Sequence, residues 1–375
     1  MDLSKVNTPA YVIDESVLEN NLKIFKSIET ATGCRVLLAT KAFSMYTVYP
    51  LISKYLSGTT NSSYHEAKLS SEEFGKSTHI YAPAFDPDTF KKACKICDTI
   101  SFNSLSEWHR YRDLIPKTTK IGLRLNPQHV EVSHKMYSPC QPGSRFGVLK
   151  KHLQDDDISG VDGVLIHALC GNNEDSLERL IVAIEDQFSD TISKDHIKWV
   201  NLGGGHMITR KGYDVDKCCE LINRFQDKYN VQIILEPGES VVLNAGVLVC
   251  KVLDIVENSM DIAIIDTSAA AHMPDVIEMP YVPELKGASK ENRENSHRYR
   301  LGGNTCLSGD IIGEYSFDAP LNIGDKLVFE DMAQYTMVKN TTFNGVNLPS
   351  IYIYKQDGVL ELVKSFGFDD FKRRV

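Results

Sequence analysis

The strongest constraint on this chain is an alternation. Eight short apolar runs, each closed by turn residues, are separated by stretches with helical periodicity. The predicted strands are Val36–Ala39, Gly58–Asn61, His79–Ala82, Thr99–Phe102, Lys120–Leu125, Gly163–His167, Trp199–Leu202 and Gln232–Leu235. Helices are predicted between them near Tyr46–Tyr55, Tyr64–Phe74, Pro87–Ile96, Leu105–Leu114, Glu174–Phe188 and Val215–Tyr229, with one more before the first strand at Glu15–Ser27. Ser63 with Glu66, and Ser104 with Glu107, stand at capping-box spacing. Strands joined through helices run parallel, because parallel neighbours need crossover connections. Eight such strands close a TIM-type (β/α)8 barrel. A doubly wound open sheet is the competing fold, but it carries an early Gly-rich turn and none follows the first strand here.

The pattern changes near Gly246. Val247–Val256 and Ile262–Asp266 are β-rich and flank Asn258-Ser259, a hairpin signal. Further strands are predicted at Asp310–Tyr315, Lys326–Phe329, Ser350–Tyr354 and Val359–Val363. The expected organisation is therefore an α/β barrel over residues 14–245 and a C-terminal all-β domain over 246–375, completed by residues 1–13 through a strand at Thr8–Ile13. Lys286–Arg298 is charged and poor in apolar residues, and reads as a mobile surface insertion. Asp155–Asp157 reads as a solvated loop or a helix start.

Bulk properties narrow the function. The formal net charge is -9 and no basic stripe occurs, which speaks against a nucleic-acid partner. No stretch approaches the roughly 18 apolar residues of a membrane helix, and Met1-Asp2-Leu3-Ser4-Lys5 lacks a signal-peptide pattern. The nine cysteines are scattered, as in a cytoplasmic protein with free thiols. Cys94 and Cys97 form a lone C-x-x-C without a second pair, so two ordinary helix positions are expected and no metal site. The adjacent Cys218 and Cys219 are read the same way.

In a parallel barrel, functional groups gather at the C-terminal strand ends. Those ends here carry Lys41, Arg124, His167, Gly203-Gly204-Gly205-His206 and Glu236-Pro237-Gly238-Glu239. A lysine closing an apolar run either reaches solvent along its aliphatic stem or loses its charge and becomes a nucleophilic amine suited to a Schiff base. Three glycines after a strand either form a plain tight turn or let backbone N–H groups approach a phosphate. Glu236 is either a structural ion-pair partner or the acid that keeps a pyridine nitrogen protonated. His167 is either a satisfied core histidine or a ring lying against an aromatic cofactor. Placement on one rim joins the functional alternatives into a single site.

At these residues the sequence resembles the fold-type III pyridoxal-phosphate decarboxylases, over nearly its whole length. The matching motifs are Ala39-Thr40-Lys41-Ala42-Phe43, Ile166-His167-Ala168-Leu169-Cys170, Asn201-Leu202-Gly203-Gly204-Gly205, Asp266–Asp275, Cys306-Leu307-Ser308-Gly309-Asp310 and Gln334-Tyr335-Thr336. His272-Met273-Pro274-Asp275 resembles the branch that acts on carboxynorspermidine and carboxyspermidine in polyamine biosynthesis. The resemblance implies pyridoxal 5'-phosphate bonded to Lys41, with His167 on its ring, Gly203, Gly204, Gly205 and Tyr335 at its phosphate, and Glu236 at its nitrogen. It also implies a homodimer with shared active sites, in which Cys306 of the partner subunit lies near the reacting carbon. Cys306 and Lys41 are both candidates to return the proton to that carbon.

One departure from the family pattern bears on the substrate. Ornithine and diaminopimelate decarboxylases commonly follow Glu-Pro-Gly with arginine, whereas this chain has Glu239. An anion there rejects a carboxylate and attracts an amine. Glu239 and Asp275 are thus expected to read a polyamine-like amino acid, while Glu278 reads as a solvated charge. The rivals are decarboxylation of diaminopimelate, ornithine or arginine, an alanine-racemase-like activity, and a non-enzymatic cofactor-binding protein. Racemases of that kind place arginine at the ring nitrogen, which Glu236 argues against.

Overall fold

The computed structural model describes residues 1–131, 135–153 and 158–375. Asp155–Asp157 lies outside the described residues. The chain forms two compact units, Glu19–Val241 on one hand and Met1–Leu18 with Val242–Val375 on the other.

The first unit is a closed barrel of eight parallel strands: β2 (Arg35–Ala39), β3 (Gly58–Asn61), β4 (Ser77–Tyr81), β5 (Thr99–Phe102), β6 (Lys120–Arg124), β7 (Gly163–Leu165), β8 (Trp199–Asn201) and β9 (Gln232–Leu235). The strand β1 (Ala10–Asp14) precedes them and belongs to the second unit. Closure is made where β2 meets β9, with Arg35 opposite Ile234 and Val36 opposite Leu235. The outer helices are amphipathic. Glu174–Ile192 buries Leu177, Leu180, Ile181, Ile184 and Phe188, the spacing of one helical face. Val215–Tyr229 is capped by Asp214, which accepts from the Lys217 N–H, and stops at Asn230 in the left-handed conformation. Ser63 and Ser104 cap their helices by accepting from the N–H groups of Glu66 and Glu107, as the spacing predicts.

The lower end of the barrel is plugged by one indole. Trp199, at the start of β8, packs with Leu37 and Ile234. A Cβ on Gly163 would lie 2.1 Å from the Trp199 ring, and one on Gly122 would lie 2.6 Å from it. Both glycines vacate space that the indole fills.

In the second unit, β1 lies inside a nine-stranded sheet. Its remaining strands are β10 (Gly246–Glu257), β11 (Asp261–Ile265), β12 (Ala288–Ser289), β13 (His297–Gly302), β14 (Ile311–Phe317), β15 (Lys326–Phe329), β16 (Ser350–Tyr354) and β17 (Leu360–Lys364). β1 pairs antiparallel with β10 and parallel with β16. β10 and β11 form the expected hairpin, turning through Ser259 at φ +62°. Four short helices, Ala269–His272, Asp275–Glu278, Thr336–Lys339 and Phe368–Arg374, accompany the strands. The mobile insertion expected at Lys286–Arg298 is corrected: β12 lies within it and β13 begins in it, both paired with β14. Charge hid β13, because Arg298 and Arg300 alternate with the buried Tyr299 and Leu301 and pair with Glu314 across the strands.

Candidate active site

The barrel brings Lys41, Arg124, His167, the Gly203–Gly205 turn, Glu236 and Glu239 to one rim, each in or just after the end of its strand. Lys41 is exposed to solvent by area, yet protein surrounds its amine closely enough for burial to be the main force on it. Those two facts together describe a side chain projecting into a concave, water-reachable site. Burial, then the Arg124 guanidinium, lowers the Lys41 pKa against the opposing pull of Glu236. The result is an amine biased towards its neutral, nucleophilic form. Arg124 is itself fixed, with its guanidinium 4.7 Å from the Tyr81 ring centre and 4.5 Å from that of Phe146, and with Nη2 donating to the His167 carbonyl at 3.2 Å.

Glu236 follows β9 and keeps about a tenth of its side chain open, at 11%. His79 Nδ1 lies 2.8 Å from its Oε1, and Asn201 Nδ2 donates to the same oxygen at 2.7 Å. Burial alone would raise this carboxyl, but the hydrogen bonds from His79 and Asn201 outweigh it and the pKa falls below the ordinary value. Glu236 is therefore a stable anion on an enclosed rim.

His167 is held neutral. Burial, the nearby Lys41 amine and Arg124 push its pKa well below the ordinary value. The Gly204 N–H donates to Nδ1 at 3.2 Å, which occupies the lone pair where a second proton would bind. The glycine turn is required by packing. A Cβ on Gly204 would fall 2.1 Å from the Glu236 carbonyl oxygen, and one on Gly205 would fall 1.9 Å from that of Leu169. Gly203 and Gly205 also sit at φ +68° and +91°, where side chains are strained. Two of the three turn amides are engaged internally: Gly203 N–H donates to Asn201 Oδ1 at 2.8 Å and Gly204 N–H to His167. Asn201 thus ties the turn to Glu236. The next residue, His206, is buried, with Nδ1 3.1 Å from the Tyr213 hydroxyl and Nε2 without a partner.

Glu239 opens a short 3-10 turn, Glu239–Val241. Its charge, added to burial, raises the Cys170 thiol pKa, while Lys41 lowers it. Glu239 therefore acts on the same rim as the lysine. Cys94 and Cys97 are buried, and burial pushes the Cys97 thiol up to about 12. Among the described residues no group of three or more His, Cys, Asp or Glu is arranged to hold a metal.

Cys306, Asp275 and Tyr335 belong to the sheet unit. Cys306 is exposed in the β13–β14 loop, and its N–H donates to Asn344 Oδ1 at 2.7 Å. Asp310 closes that loop, its carboxylate accepting from Ser268 Oγ, Thr305 Oγ1 and the amides of Ala270 and Thr305. Asp275 is paired with Lys339 Nζ at 2.5 Å, and Glu278 binds the same ammonium. Tyr335 sits at φ +56° with ψ -39°, a conformation costly for a residue with a side chain. Sequence reasoning missed His79, Ser101 and the role of Asn201. The available signal was weak: single polar residues at inward positions of otherwise apolar strands.

Residues 10–333 match the family described as "Pyridoxal-dependent decarboxylase, C-terminal sheet domain". The chain belongs to the pyridoxal-dependent decarboxylases. Among its relatives, the carboxynorspermidine/carboxyspermidine decarboxylase of Campylobacter jejuni is 41% identical over all of both chains. The carboxyaminopropylagmatine decarboxylase of Synechocystis is also 41% identical, over all of this chain and 96% of that one. The crystal structure of the C. jejuni carboxynorspermidine decarboxylase with norspermidine superposes with a TM-score of 0.92, covering 99% of this chain and 100% of that one at 41% identity. A diaminopimelate decarboxylase at 17% identity shares the fold, with a TM-score of 0.83. This decarboxylase is accordingly a carboxy-lyase whose family cofactor is pyridoxal phosphate. The rim of this decarboxylase fits that group. It offers a concave space around a deprotonation-prone amine, a turn that admits no Cβ, and a buried carboxylate anion.

Proposed function

We propose that this decarboxylase removes the carboxylate of carboxynorspermidine or carboxyspermidine, forming norspermidine or spermidine in polyamine biosynthesis. The observation that carries the reading is Glu239. It puts an anion on the lysine rim, close enough to Cys170 to raise that thiol. An anion there favours an ammonium group of a polyamine over the distal carboxylate of diaminopimelate. Two relatives named carboxynorspermidine/carboxyspermidine decarboxylase, 41% and 38% identical, support it.

Pyridoxal phosphate, when bound, supplies a protonated aromatic ring that takes up the electron pair left by departing carbon dioxide. Lys41 Nζ would bond its aldehyde, His167 would lie against its ring, and Glu236 would hold its nitrogen. Gly203, Gly204, Gly205 and Tyr335 would face its phosphate. The neutral Lys41 amine is the nucleophile, prepared by burial and by Arg124. Neutral His167 adds no second cation beside the ring nitrogen. A close carboxylate such as Glu236 is worth up to about 4 kcal/mol at 4 Å in an effective dielectric of 20. The Cys306 thiol of the partner subunit would return a proton to the α-carbon, which makes a homodimer with shared sites the working unit. All nine cysteines are free, which supports a cytoplasmic setting. Among the described residues no helix is long and apolar enough to cross a membrane.

The test is carbon dioxide release by the loaded protein from carboxynorspermidine, carboxyspermidine, carboxyaminopropylagmatine, diaminopimelate, ornithine and arginine. The two carboxy-triamines are expected to lead on kcat/KM, and a lead by any other substrate overturns the assignment. The Synechocystis relative gives the guanidino compound its place in the panel.

A further inference from the structure

His79 lies in the middle of β4 and is 2% exposed. It lies outside the motifs through which the sequence resembles the family. Its Nδ1 is 2.8 Å from Glu236 Oε1, and its Nε2 is 2.8 Å from the hydroxyl of Ser101 on β5. The Trp199 ring closes one side, edge-on at 6.4 Å. An ionised carboxylate only accepts hydrogen bonds, so Nδ1 carries the proton. The Ser101 hydroxyl, fully buried, can then turn its hydrogen into the Nε2 lone pair. Both ring nitrogens are satisfied by a neutral imidazole.

The neutral form matters. A cationic imidazole against Glu236 would cancel the charge that the cofactor's ring nitrogen needs. A neutral donor orients the carboxylate and leaves its charge in place, as the amide of Asn201 does. His79 and Asn201 reach Oε1 from β4 and β8, two strands that are not neighbours in the barrel. Glu236 is thereby held from two sides and cannot swing away.

We propose that His79, backed by Ser101, is a positioning residue that fixes Glu236 by Oε1 as a neutral donor, so that the carboxylate's full charge serves the ring nitrogen of pyridoxal phosphate. This rests on the assignment of Glu236 made above.

Four variants of the full chain, His79→Leu, His79→Asn, Ser101→Ala and Glu236→Gln, are compared with the parent for cofactor affinity, the pH midpoint of the bound cofactor's visible band, kcat and KM. With His79→Leu, cofactor affinity is expected to fall about tenfold and kcat about 100-fold while KM stays within about twofold, the pattern of a lost supporting contact. His79→Asn, which puts an amide donor near the Nδ1 position, recovers most of both. Ser101→Ala moves the band's pH midpoint, because Nε2 then loses the hydroxyl that occupies its lone pair and the imidazole no longer sits in one orientation against Glu236. A His79→Leu protein that melts earlier but keeps the parent's affinity and band overturns the proposal, as does a failure of His79→Asn to recover either. If His79→Leu does not fold, an unmoved midpoint in Ser101→Ala overturns it instead. Glu236→Gln separates the two levels. A silent Glu236→Gln sinks the assignment of Glu236 itself, whereas a strong Glu236→Gln beside a silent His79→Leu sinks only the role of His79.

Discussion

Ser268 Oγ donates to Asp310 Oδ2 at 2.8 Å, joining two segments 42 residues apart in the sheet unit. One segment opens the Ala269–His272 helix and the other ends the loop that carries Cys306. The same carboxylate also binds the hydroxyl of Thr305, next to Cys306, at 2.6 Å. Replacing Asp310 by alanine orphans the buried Ser268 hydroxyl, at a cost of about 1–3 kcal/mol, and leaves three part-buried donors without this acceptor. Asp310→Ala is expected to melt well below the parent and to lose turnover towards the level of Cys306→Ala. Thermal melts and kcat measured side by side check this. Parent-like turnover in a folded Asp310→Ala protein would separate the clasp from the chemistry.

Lys41→Ala is expected to abolish both the visible absorbance of bonded cofactor and carbon dioxide release. Pyridoxal phosphate should still bind weakly through the remaining rim. Absorbance after gel filtration and a radiometric carbon dioxide assay are sufficient. Retention of both signals would refute Lys41 as the attachment point.

Glu239→Arg reverses a charge on the rim beside Cys170. A cation placed about 4 Å from a substrate ammonium costs up to about 4 kcal/mol at an effective dielectric of 20. The variant should lose carboxy-triamine kcat/KM far more than cofactor affinity. Equal loss of the two would remove Glu239 from substrate reading.

Two buried histidines, His206 and His272, join His167 in setting an acid limit on stability. Burial lowers His206 and His272 from an ordinary 6.5 to about 4 each. Their stabilisation is complete above pH 6.5 and is lost as the pH falls through the window to 4, because the unfolded chain takes up protons that the fold refuses. The full window is worth on the order of 3 kcal/mol per histidine. Melting temperature should therefore fall between pH 6.5 and 5, above most carboxylate titration. His206→Asn and His272→Asn should each flatten that slope. An unchanged slope in both would exclude this cause.

The barrel was readable because strands buried on both faces are written as apolar runs, and their ends name the rim. Lys41, His167 and Glu236 were readable as candidates for the same reason. The wiring between them was not. His79 is 157 residues from Glu236 along the chain, and a lone histidine in a strand looks like any core residue. The glycine turn was visible as a motif, yet what Gly204 donates to, the His167 ring 37 residues away, depends on β7 and β8 being neighbours. β13 was unreadable because Arg298 and Arg300 supply the polar half of its alternation.

β1 sits between β10 and β16, so this strand leaves the ribosome before either of its partners, both of which are encoded after the barrel. During synthesis the barrel can assemble while Ala10–Asp14 waits with its amides unmatched on both edges. An orphan edge of that kind is a template for pairing with other chains. That edge stays a template for wrong pairing until Gly246 and then Ser350 have emerged.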